Sequence, residues 1–148
     1  MGFQEMRKAN CLLTTGLAIC CLGGCSRPNE RVAVHPVHGQ VLFDGKPIGG
    51  AIVVLHPLEG AANKEVRPLA YTNDEGAFNI ATFDANDGAP AGQYVATVEW
   101  LVRPQGTDDV PMTIPNKLPP RYGSPTSSKL AVEVVAGVNN LTPFQLTR

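Results

Sequence analysis

The stretch "VHGQVLFDGKPIGGAIVVLHP", Val37 to Pro57, decides the fold. In its first seven residues the side chains alternate, with Val37, Gly39, Val41 and Phe43 on one face and His38, Gln40 and Leu42 on the other. That is the period of two of a β-strand. Asp44-Gly45-Lys46-Pro47 then has the chemistry of a tight turn, because Asp and Gly tolerate the positive φ that such turns demand. Ala51 to Pro57 is apolar on both faces, which predicts a strand in the middle of a sheet.

The same reading extends to the rest of the chain. "PLAYT" and "AFNIA" flank Asn73-Asp74-Glu75-Gly76 and predict a hairpin with Leu69, Tyr71, Phe78 and Ile80 facing inward. Gln93 to Val102 is the longest alternating run, with Tyr94, Ala96, Val98 and Trp100 on one face. "KLAVEVV" and "LTPFQLT" predict a last hairpin across "AGVNN", with Leu130, Val132, Val134, Phe144 and Leu146 inward. Pro143 cannot donate to a ladder, so the final strand belongs at an edge. Seven short strands at even spacing, with no helical period, predict a single antiparallel β-sandwich over residues 37–148. No internal repeat and no second domain are expected.

The N-terminal end is different in kind. Three of the four cysteines lie in "LAICCLGGCSRPNE", Leu17 to Glu30, and the fourth is Cys11. Zinc would need thiolates paired across polar loops, but the residues between these cysteines are almost all apolar. Arg7 and Lys8 followed by the uncharged run Cys11 to Leu22 read instead as an export signal, too short for a spanning helix. "LGGC", Leu22 to Cys25, resembles the lipobox of bacterial lipoproteins. That resemblance implies cleavage after Gly24 and acylation of Cys25, so that residues 1–24 are removed as a signal peptide. Two or three acyl chains give stable anchoring in a membrane, where one would be marginal. Ser26 rather than aspartate after the cysteine leans toward the outer over the inner membrane. Ser26 to Pro36 is polar with two prolines, so residues 25–36 are expected to form a lipidated tether reaching about 30 Å.

With 12 basic and 13 acidic residues the chain is near neutral, which excludes the basic field that nucleic acid requires. No cofactor or metal is expected. His35 and His38 fall on opposite faces of an extended chain, and His56 has no acidic neighbour. Asp84-Ala85-Asn86-Asp87-Gly88 begins like a calcium loop, but glycine arrives at position 5 and Val95 at position 12, so the EF-hand spacing fails. A looser site at Asp84, Asn86 and Asp87 competes with ordinary Asx-turn chemistry. No Ser-His-Asp order or carboxylate pair suggests catalysis. Arg103 to Ser128 is a loop of 26 residues with six prolines, a length associated with function. Asp84, Asp87, Arg103, Arg121 and Tyr122 are therefore the candidate contacts for a ligand or partner. For the proline-rich loop the competing reading is a stiffened crossover anchored by Tyr122.

Taken together, Val37 to Leu146 resembles the carboxypeptidase regulatory-like, transthyretin-like domain. The match rests on "VHGQVLFDGKPIGGAIVVLHP", "YTNDEGAFNI" and "DGAPAGQYVATVEW". "LPPRYGSPTSSKLAVEVVAGVNNLTPFQL" resembles the C-terminal end of small bacterial lipoproteins built on this domain. The resemblance implies a sandwich with no shared catalytic residue, serving as a structural or interaction module in the cell envelope. The partner would be an envelope protein or a glycan, met by the loops Asp84–Gly92 and Arg103–Ser128. A diverged hydrolase is the remaining alternative. Hydroxyisourate hydrolase, also transthyretin-like, ends in Tyr-Arg-Gly-Ser, whereas "RYGS" here is reordered and precedes a further hairpin. A cluster of His38, His56 and Arg121 would favour that alternative.

Overall fold

The computed structural model describes residues 31–61, 63–101 and 114–148. The signal segment, Cys25, residues 26–30 and Arg103 lie outside the described residues. Eleven strands follow in order: β1 (Val34–His35), β2 (Val37–Phe43), β3 (Lys46–Pro47), β4 (Ile52–Pro57), β5 (Leu69–Tyr71), β6 (Ala77–Asn79), β7 (Ala89–Pro90), β8 (Gly92–Glu99), β9 (Leu130–Val134), β10 (Asn139–Asn140) and β11 (Phe144–Leu146). A 3-10 turn, Pro120–Gly123, precedes β9. The fold is all-β, with no α-helix among the described residues. The seven expected strands are all present, and β1, β3, β7 and β10 are two-residue additions.

Two larger sheets form. One is antiparallel in the order β5-β4-β8-β9, and its apolar strand β4 is central as the sequence predicts. The other gathers around β2, whose odd-numbered main-chain groups pair with antiparallel β3 and β6. The main-chain groups on its opposite edge pair with β10 and β11, which run parallel to it. Val37, Val41, Phe78, Phe144 and Leu146 from this sheet share one hydrophobic core with Val53, Leu55, Tyr94, Val98, Val132 and Val134 from the other. At the β2–β3 turn Asp44 and Gly45 have φ of 48° and 77°, the two positive values of a type I′ turn.

Five expectations are corrected. The architecture is not purely antiparallel, because β10 and β11 pair with β2 in parallel. The last two long strands do not form a hairpin: β9 adds to β8, and the chain then crosses to the other sheet. Asn139 makes that crossing possible, since its buried amide satisfies main-chain groups that leave the ladder.

Strand β5 shows the opposite face from the one expected. Ala70 is buried against Val53, while Leu69 and Tyr71 are 40% and 65% exposed. The register is pinned by buried Thr72, whose Oγ1 accepts from the Ala51 N–H (2.9 Å) and donates to the Ile48 carbonyl (2.7 Å). A one-residue shift exchanges the faces of a whole strand. The Asn73–Gly76 turn does form, but β5 and β6 join different sheets, and the Leu69–Ala81 bridge falls beyond the end of β6.

Finally, the folded part begins before Val37. Residues Val34 and His35 pair with Pro90 and Ala89, so the expected tether is shorter by this clip.

Candidate functional site

The histidines are dispersed. His35 Nδ1 accepts the Gly137 N–H at 3.3 Å. His38 Nδ1 lies 2.6 Å from Asn79 Oδ1, and His56 Nε2 lies 3.0 Å from Thr97 Oγ1. Burial, helped by the Arg67 charge, holds the His56 imidazole below its ordinary pKa. No hydrogen bond joins His38, His56 and Arg121. Among the described residues no three His, Cys, Asp or Glu side chains gather as a metal would need.

The Asp84–Gly92 loop is organised by Asp87. Its Oδ1 accepts the Thr82 N–H at 2.7 Å, and its Oδ2 accepts the N–H groups of Phe83 and Asp84, each at 3.0 Å. Burial pushes this carboxyl up, but the amides of Thr82, Asp84 and Phe83 outweigh it and hold the pKa below the usual value. Asp84 faces outward and pairs with Arg31 at 3.3 Å, and that guanidinium also lies 5.5 Å from the centre of the Phe83 ring. Both oxygens of Asp87 are thus directed at main-chain amides, which is the Asx-type chemistry and not a cation shell.

Replacing Asp87 with asparagine is expected to cost about 1 to 2 kcal/mol by urea denaturation near neutral pH. A depressed folded pKa contributes stability that is present above the unfolded value, 3.8, and lost as pH falls through the folded one. The gap between wild type and variant should therefore close in acid. A gap that stays constant across that range would contradict the charged role.

Arg121 and Tyr122, in the 3-10 turn, are engaged within the chain. Tyr122 is buried in the core, and its hydroxyl accepts the Thr147 N–H at 3.0 Å and faces the Thr147 carbonyl. The Arg121 guanidinium stacks 4.7 Å from the Tyr122 ring centre and donates to the main-chain oxygens of Thr147 and Arg148. These two residues fasten the segment after β11, and Tyr122 is the anchor that the crossover reading expects.

A different constellation opens at the end of β8. Phe43, Trp100, Lys117, Leu118, Pro119 and Arg148 line a cleft of about 640 Å³, within the range of small-ligand sites. Asn116 assembles it: its Oδ1 accepts from the N–H groups of Trp100 (2.9 Å) and Leu118 (3.0 Å), and an isolated bridge joins Leu101 to Asn116. The Trp100 indole donates to the Gly49 carbonyl at 3.1 Å, and its ring meets Phe43 edge to face at 6.4 Å. Lys117 Nζ rests 5.0 Å from the Trp100 ring centre, a cation–π contact, and Arg148 Nε pairs with Asp44 at 3.2 Å. Alternation placed Phe43 and Trp100 on the faces of their strands' apolar residues but gave no sign of a cleft. The cations were not foreseen, because Lys117 and Arg148 reach the cleft from distant parts of the chain.

The described residues form an all-β domain with a cationic, aromatic cleft among its concave sites. No protein-family model matches the chain, and no curated protein matches it. Among solved structures it is similar to a 9R-lipoxygenase from Cyanothece PCC8801, at 14% identity and a TM-score of 0.42. That likeness covers 77% of this chain and only 16% of the lipoxygenase.

Proposed function

We propose that this chain is an exported, lipid-anchored envelope protein whose seven-stranded sandwich, transthyretin-like and carboxypeptidase regulatory-like, is a non-catalytic structural or interaction module. The observation that carries the proposal is Leu22-Gly23-Gly24-Cys25 placed behind Arg7, Lys8 and an uncharged run. Two sheets around one core, with every expected strand present, support the sandwich part of the reading. The outer membrane is favoured over the inner, since Ser26 rather than aspartate follows Cys25.

The second reading, a ligand-binding module, draws on the cleft at Trp100 and Lys117 more than on the Asp84–Gly92 loop, whose carboxylates are already engaged.

Intact mass and detergent partitioning of membrane-extracted protein test the anchor. Wild type should begin at Cys25 and carry acyl chains, while Cys25→Ser should retain the N-terminal segment and leave the detergent phase. A wild-type chain that keeps Met1, or one that is soluble and unmodified, would sink the proposal.

A further inference from the structure

We propose that the cleft of Phe43, Trp100, Lys117, Pro119 and Arg148 docks an acidic peptide segment of another envelope protein, an inference resting on the interaction-module reading above. Charge selects the ligand. Lys117 is held over the Trp100 ring by cation–π attraction, whereas the Arg148 charge is paired with Asp44, so Lys117 supplies the positive charge beside the aromatic floor. A carboxylate side chain reaching Lys117 would gain a charge-assisted hydrogen bond. An apolar neighbour would fill the corner of Phe43, Trp100 and Pro119, where buried aromatic area carries most of the energy of a small interface. The cleft is too small for a folded domain and suits a short segment.

The cleft also stands apart from the start of the described chain. The chain enters the domain at Arg31, beside Asp84, and β1 pairs with β7 immediately before β8 begins. The cleft lies past the other end of β8, which at eight residues spans about 26 Å. The cleft therefore opens at the pole of the domain away from Arg31.

The single tryptophan of the chain is Trp100, so its fluorescence reports the cleft directly. The full chain in neutral detergent is titrated with an octapeptide of alternating glutamate and leucine. A saturable change is expected, weakened about three-fold in Lys117→Gln and about ten-fold or more in Lys117→Glu. An octapeptide with lysine in place of glutamate should give no change. Lys117 is an exposed side chain, so thermal melts of both variants should match wild type.

The proposal is overturned by an absent or non-saturable response, or by equal affinity in Lys117→Glu. Tighter binding of an oligogalacturonate would make the site one for acidic saccharides. A shifted emission in Asp108→Asn/Asp109→Asn without peptide would make the chain's own segment the occupant. Repeating the titration on Cys25→Ser keeps the cleft separable from the anchor: binding there should equal wild type even if the lipidation reading fails.

Discussion

Replacing Asn139 with aspartate is expected to destabilise the domain by about 3 kcal/mol or more at neutral pH. The side chain is buried, its Oδ1 accepts the Val135 N–H at 2.9 Å, and its Nδ2 faces the carbonyls of Val135 (2.9 Å), Gly137 (3.0 Å) and Pro36 (3.3 Å). A carboxylate keeps the acceptor but sets a negative charge against three carbonyl oxygens with no proton to share. Burial among acceptors raises the folded pKa of the introduced acid. The deficit is then present above that pKa and shrinks as pH falls through it toward the unfolded value. Chemical denaturation at neutral and acid pH reads both points. A variant as stable as wild type at neutral pH would remove Asn139 from its role at the crossover between sheets.

The second large effect is expected at Gly39. A Cβ there would lie 2.3 Å from Cζ of Phe78, far inside contact distance. The Phe78 ring cannot swing aside freely, because it is buried and stacked on Phe144 at 5.8 Å. Gly39→Ala should cost about 2 to 3 kcal/mol through this overpacking. Phe78→Ala should cost about 3 to 5 kcal/mol through the cavity it leaves. In combination the two should fall well short of additive, since the alanine at 39 no longer meets a ring. Strict additivity in a double-mutant cycle would show that Gly39 is required for some reason other than Phe78.

The strand positions come from local chemistry, and so they are legible in the sequence. Alternation in Val37–Phe43 and Gln93–Trp100, the Asp44-Gly45 turn and the apolar run at Ile52–Pro57 each depend on neighbours within a few residues. Phe43 and Trp100 are legible for the same reason as members of alternating faces, Phe43 at the end of β2 and Trp100 directly after β8.

What only the tertiary structure decided depends on partners distant in sequence. The face of β5 turned over because Thr72 bonds Ala51 and Ile48, more than twenty positions away. The final hairpin gave way to a crossover because β2 offers a free edge to β11 and Asn139 satisfies the main chain between the sheets. Arg121 and Tyr122, which look free in a proline-rich loop, are held by Thr147. Lys117 reaches Trp100 because Asn116 ties the returning chain to the end of β8. Local patterns determine which residues form strands. The choice among sheet edges is made by long-range hydrogen bonds and packing, which no short window of sequence contains.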